Sequence, residues 1–231
     1  VSPKPLPTIF IAGARRNAGK TLLTTYLLRS FPGSGAIKVT CCRTAGGCPR
    51  NTPCGVCRAL SGPYAVITDR DVLATPGKDT ARLLEAAMGR VVWLQARPET
   101  LADGLAAALL VFDREQAVLV EGNAAFQTGA PDLGLLVIGS GPEPAKSSVR
   151  VALPFADGVV LNVRPGYPSP AMVEGLRGDV RVFSFDAANA QGQADARSLV
   201  EWITQKLGLT ARAQVAEPTA RPEESGSGRS P

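Results

Sequence analysis

The chain has 231 residues, 45% apolar and 19% charged, with a net charge of +5, the make-up of one globular α/β-sized domain able to bury a full core. It contains no histidine, which excludes histidine general bases, histidine metal ligands and any Ser-His-Asp triad. Charge is uneven: residues 1–62 carry nine basic groups and no acid, while the remainder holds 16 basic and 20 acidic residues, so the first quarter attracts a polyanion.

No run reaches the roughly 18 apolar residues of a membrane helix, and the opening "VSPKPLPTIFIAG" lacks the apolar core and cleavage site of a signal peptide. The expectation is a cytoplasmic protein with reduced thiols and no membrane partner. Only 5% of residues are aromatic, and no helix-turn-helix, stacking platform or zinc-finger helix is recognisable, so nucleic acid is not expected as the partner.

In chain order, "TIFIAG" (8–13) reads as a short buried strand and "KTLLTTYLLRSF" (20–31) as a helix with helical leucine spacing. "GAIKVT" (35–40) is a second strand, followed by a glycine- and proline-rich cysteine segment, and "YAVITD" (64–69) a third strand. "KDTARLLEAAMG" (78–89) is a helix stopped by glycine, "VVWLQA" (91–96) a strand, and "PETLADGLAAALLVF" (98–112) a helix with proline near its start. "AVLVEG", "LGLLVIG", "GVVLNV" and "RVFSF" read as strands and "ARSLVEWITQKLG" (196–208) as a closing helix. Strands apolar on both faces imply a mainly parallel sheet sandwiched between helices. The predicted organisation is a domain over 1–211 with a cysteine-rich insertion at 41–62. A tail over 212–231, aperiodic and rich in proline, serine and charge, is expected to be disordered.

The segment "ARRNAGKT" fits a P-loop, with Ala14 in the place usual for the first glycine. It sits between a strand and a helix, the context in which successive backbone N–H groups cradle phosphate. The loop residues Ala14, Arg15, Arg16, Asn17, Ala18 and Gly19, with Lys20, Thr21 and Leu22 opening the helix, form the predicted nucleotide-binding set. Gly19 lets backbone approach closely, Lys20 spans the β- and γ-phosphates, and Thr21 offers its hydroxyl to Mg²⁺. The helix adds its N-terminal dipole. "QAVLVEGN" is an apolar strand ending in Glu121, where a carboxylate holds Mg²⁺ or its water shell. Asp79 opens a helix, either as a first-turn acid or in a functional role. Asn162, ending a later strand, is a turn former or a base reader. Lys20, Glu121 and Asp79 make up the candidate catalytic set, and GTP against ATP stays open.

Taken together, "GARRNAGKTLL", "GAIKVT" with Lys38, "PGKDTARLLEAAMGRVVWLQA" and "VLVEGN" resemble, in order, the MobB family of P-loop GTPases, the molybdopterin-guanine dinucleotide biosynthesis protein B group. The resemblance covers about residues 8 to 125. Its P-loop and Glu-Gly elements are shared with dethiobiotin-synthetase-like enzymes, and "PGKDTARLLEAAMG" is the more discriminating part. It implies a three-layer P-loop NTPase fold, GTP and Mg²⁺ binding, slow hydrolysis and homodimerisation. It also implies an accessory role beside molybdenum- or tungsten-cofactor biosynthesis proteins. Carried over by position, Gly19, Lys20 and Thr21 bind phosphate and magnesium, Glu121 serves the metal, and Asp79 and Lys38 lie near the nucleotide. One departure is that Cys41 and Cys42 stand where the family usually has a histidine-containing segment.

All five cysteines, Cys41, Cys42, Cys48, Cys54 and Cys57, fall between residues 41 and 57. Cys54 and Cys57 have the CxxC spacing of metal ligands, and four thiolates suffice for zinc or an iron–sulfur cluster. A redox pair and buried or incidental thiols are the alternatives. A nucleotide-switched cluster carrier and a dethiobiotin-synthetase-like kinase or ligase accordingly stand beside the GTPase reading.

Overall fold

Eight apolar segments become eight strands: β1 (Thr8–Gly13), β2 (Gly35–Cys41), β3 (Tyr64–Ile67), β4 (Val91–Ala96), β5 (Val118–Glu121), β6 (Leu133–Gly139), β7 (Gly158–Asn162) and β8 (Arg181–Phe185). They pair into one sheet in the order β3-β4-β2-β5-β1-β6-β7-β8. Every pairing is parallel except β3 with β4. The computed structural model describes residues 6–41, 60, 62–140, 145–163, 166, 174–185 and 190–212, side chains of 190–195 excepted. Cys42, Cys48, Cys54, Cys57 and residues 213–231 lie outside the described residues, and with them most of the expected insertion and all but the first residue of the expected tail.

The protein is α/β, with helices on both faces of the sheet, and strand alternation explains why. In β1, Ile9 and Ile11 join one apolar core while Phe10 and Ala12 join the other. In β6, Leu133, Leu135 and Val137 face the first core, Leu136 and Ile138 the second. With a side-chain period of two, both sets must be apolar for both faces to be covered. Helices α1 (Lys20–Ser30), α3 (Asp79–Ala86) and α5 (Ala190–Leu207) cover the first face through Leu23, Leu27, Leu83, Leu199 and Ile203. Helix α4 (Leu101–Leu109) covers the second through Leu101, Leu105 and Ala108. Among the described residues, no helix is long and apolar enough to cross a membrane.

Several elements differ from the sequence-based expectation. The segment 98–112 opens with a 3-10 turn, Pro98–Thr100, and its α-helix ends at Leu109, leaving Leu110 86% exposed. The closing helix begins at Ala190, six residues before the predicted start. A four-residue helix, α2 (Arg70–Leu73), is anchored by Asp69, whose side chain accepts from the N–H groups of Asp71 and Val72. Three 3-10 segments, Asn123–Thr128, Ser147–Val151 and Leu153–Phe155, were not expected as helical.

Strand β1 lies centrally between β5 and β6. From it the chain passes to β2 on one side, and the later strands β6, β7 and β8 extend the sheet on the other. In open parallel sheets, the crevice outside the carboxyl ends of strands at such a reversal is where ligands bind.

Candidate functional site

The loop 14–19 leaves β1 at that crevice and enters α1. Its shape is set by Asn17 at φ 54 and Gly19 at φ 102, both left-handed, a conformation that glycine adopts without the penalty a Cβ brings. Ala14 is fixed on both sides: its N–H donates 2.8 Å to Val137 O, and its carbonyl accepts 2.8 Å from Lys146 N. Ala14 and Ala18 are buried, Arg15 is half-buried, and Arg16, Asn17 and Leu22 are exposed. Helix α1 starts with no side-chain cap and no acidic residue in its first turn. Its N-terminal dipole is therefore uncompensated by its own sequence, the arrangement that receives an anion.

Lys20 folds back across the start of the loop. A Cβ built on Gly13 would stand 2.9 Å from Lys20 Cγ and 3.1 Å from its Nζ, so only glycine leaves the lysine this path. Burial lowers the Lys20 pKa; Glu121 and Asp79 pull it up, Lys38 pushes it further down, and the net direction is down. Lys20 is thus a buried cation whose desolvation the nearby carboxylates do not fully offset.

Alternation places the remaining groups on the same face. Ala36 of β2 and Leu119 of β5 belong to the core under α1, so Lys38 and Glu121, two residues further along each strand, point to that side. The registers bring Lys38 level with Glu121, and Glu121 level with Ile11 of β1. Lys38 Nζ donates to Glu121 Oε1 and to Asp79 Oδ2, each at 2.5 Å. Thr21 Oγ1 donates 2.8 Å to the same Glu121 oxygen. Burial opposes the charge on Lys38, but Glu121, then Asp79, outweigh it and raise its pKa. Asp79 is disfavoured by partial burial, yet the Lys38 charge, hydrogen bonds from Lys38 and Thr21, and the Lys20 charge hold its carboxyl below the usual range. It is the first residue of α3, but its carboxylate goes to Lys38 rather than to its own helix end.

Glu121 is fully buried. A buried carboxylate needs partners, and Oε1 has two, whereas among the described residues Oε2 is buried with no hydrogen-bond partner. Together with the Thr21 hydroxyl and the Asp79 carboxylate it makes an all-oxygen donor set. That suits a hard cation such as Mg²⁺, which takes one or two protein carboxylates and completes its shell with water and phosphate. No group of three or more histidine, cysteine, aspartate or glutamate side chains that could hold a metal occurs among the described residues. Cys41, half-buried at the end of β2, lies at the same sheet edge.

Two further contacts were not expected from the sequence. Asn123, directly after Gly122, makes a paired amide contact with Gly13: its Oδ1 accepts from Gly13 N and its Nδ2 donates to Gly13 O, both at 2.9 Å. Nδ2 also donates to Ser148 Oγ at 3.2 Å. Asn162 is neither a turn residue nor turned toward solvent. It is the last residue of β7, 2% exposed, and its Nδ2 donates 2.9 Å to Ala18 O. The "EGN" tripeptide was a faint cue to Asn123; nothing local marked the second contact.

A separate groove of ≈ 660 Å³ lies beside the amino end of β4, toward one side of the sheet, lined by Leu73, Leu84, Met88, Arg90, Val111 and Arg114 among others. It gathers no lysine–carboxylate cluster, and the chemistry converges at the opposite edge. In the comparisons with known proteins, no family model matches the chain and no curated protein matches it.

Proposed function

We propose that the chain binds a nucleoside triphosphate with Mg²⁺ and hydrolyses it slowly, with GTP as the leading nucleotide. The observation that carries this is the convergence of Lys20, Thr21, Glu121, Lys38 and Asp79 at the exit of β1, beside the uncapped start of α1. In this reading the loop 14–19 is a phosphate loop. Lys20 would offset its desolvation further by pairing with the β- and γ-phosphates. Thr21 and Glu121 would hold Mg²⁺, which would supply positive charge against the phosphates. Lys38 keeps the two carboxylates in place until the cation arrives.

The MobB resemblance extends the proposal to an accessory role in molybdenum- or tungsten-cofactor assembly, in the cytoplasm and as a homodimer. Support for that extension is the order of the quoted motifs alone. A second reading, a nucleotide-switched carrier of zinc or an iron–sulfur cluster, draws on the five cysteines between 41 and 57. Cys41 at the carboxyl end of β2 would set that metal beside the nucleotide. Anaerobic purification with nucleotide identification and metal analysis on one sample tests both. Bound or readily bound GTP with Mg²⁺-dependent turnover supports the first. Protein that binds neither GTP nor ATP refutes it.

A further inference from the structure

Accepting that reading of the loop as a phosphate site, we propose that Asn162 is a positioning residue that aims the phosphate loop, acting on the triphosphate and not on the base. Its place follows from strand parity. Val160 of β7 sits in the core under α1, so Asn162, two residues on, points to that face and meets the loop rather than the crevice beyond the strand. The contact joins residues 144 apart in the chain.

The peptide between Ala18 and Gly19 explains what the contact does. No cis peptide occurs among the described residues, and in a planar trans peptide the C=O and N–H point in opposite directions. Asn162 Nδ2 takes the Ala18 carbonyl at 2.9 Å. That fixes the Gly19 N–H to point in the opposite direction within the peptide plane, away from Asn162. A flip of this peptide would turn a carbonyl oxygen toward the phosphates in place of a donor. Asn162 forbids the flip because its donor would then face an N–H.

The packing around the contact is tight. A Cβ on Gly19 would fall 2.2 Å from Asn162 Nδ2, so the left-handed glycine and the asparagine fill one another's space. Asn162 is itself held. Its carbonyl accepts from Ser140 N at 3.1 Å and from Ser140 Oγ at 3.3 Å. Its β6 neighbour in register is Gly139, where a Cβ would stand 2.8 Å from Ala18 Cα. The exits of β6 and β7 thus form a rigid seat for the end of the loop, while Asn123 ties its start.

The test uses a ligand with the phosphates and no base. Affinities for Mg²⁺ complexes of GTP, ATP and inorganic tripolyphosphate are measured by calorimetry for the full chain and for Asn162→Ala, below the melting temperature of both. The expected result is an equal loss for every ligand the wild type binds, about tenfold, the range of one hydrogen bond to a charged group. Asn162→Asp, which sets a carboxylate against the Ala18 carbonyl, loses at least as much. Asn162→Ser, shorter but still a donor, falls between wild type and Asn162→Ala and serves in its place if that variant does not fold. A role limited to stability lowers the melting temperature and leaves the affinities of the folded protein alone, which overturns the proposal. So does an unchanged tripolyphosphate affinity beside a lost nucleotide, which would make Asn162 a base reader. Wild-type protein that binds none of the three ligands refutes the phosphate-site reading itself, and the proposal with it.

Discussion

Replacing Lys38 by Met tests the charge arrangement at its centre. The lysine side chain is 16% exposed, and its principal partner, the Glu121 side chain, 1%. Methionine preserves much of the stem's packing but removes the cation, leaving Glu121 buried with the Thr21 hydroxyl as its one hydrogen bond and the Lys20 charge nearby without a direct bond. Breaking one side of a buried ion pair destabilises by about 3–5 kcal/mol, because the remaining charge is uncompensated. At about 2–4 °C per kcal/mol for a domain this size, the melting temperature falls by roughly 10 °C in magnesium-free buffer. The second partner does not change this estimate greatly. Asp79 is 46% exposed, so solvent screens that pair and its share is about 1 kcal/mol or less. The informative variant is the double change, Lys38→Met with Glu121→Gln. A neutral amide no longer needs the cation, so most of the lost stability returns, and the thermodynamic cycle yields the coupling between the two positions. A Lys38→Met protein within about 1 kcal/mol of wild type would refute the reasoning. Equal stability of the single and double variants would do the same.

Other consequences are open to direct measurement. Glu121→Gln alone keeps the side chain's shape and should reduce Mg²⁺-dependent hydrolysis at least tenfold while affecting magnesium-free nucleotide binding far less; equal hydrolysis rates would remove Glu121 from the metal site. The depressed Asp79 pKa contributes stability that is present above the unfolded carboxylate's value of about 3.9 and is lost as pH falls through the lower folded value. Asp79→Asn should therefore flatten the acid limb of the melting-temperature profile, and parallel profiles below about pH 5 would contradict this. Changing Cys54 and Cys57 together to Ser should remove zinc or iron from anaerobically prepared protein while the α/β core still melts cooperatively. Wild-type protein without either metal would return these thiols to a redox or incidental role.

The strands were the most legible part of the fold. β1, β4 and β6 coincide with their apolar runs because segments covered on both faces show nearly unbroken hydrophobicity. Helix limits were harder. The first turns of α5, "AQGQAD", carry little apolar periodicity, and α4 stops before the exposed leucine at 110, where the apolar run alone would carry it on. The 3-10 segments are too short to show a period at all.

At the site, local pattern pointed to the loop, Lys20, Thr21 and Glu121, since strand–loop–helix order and a strand-ending acid are visible along the chain. Pairings across the sheet were not visible there. That Lys38 lies level with Glu121 depends on strand order, which inserts β5 between β1 and β2. Asn162 reaches Ala18 only because β6 and β7 fold back beside β1. Contacts of that kind belong to topology, and a one-dimensional pattern records them only as an unexplained polar residue at the end of a strand.

The most direct test of a phosphate site at the β1 exit is calorimetric titration of wild type and Lys20→Ala with GTP and ATP in the presence of Mg²⁺. Removing a partly buried ammonium from the β- and γ-phosphates forfeits charge-assisted hydrogen bonds of about 1.5–3 kcal/mol each. Wild type should bind at least one of the two nucleotides, and Lys20→Ala, still folded, should bind it at least tenfold more weakly. Equal affinity in the two proteins, or no binding by the wild type, would contradict the account.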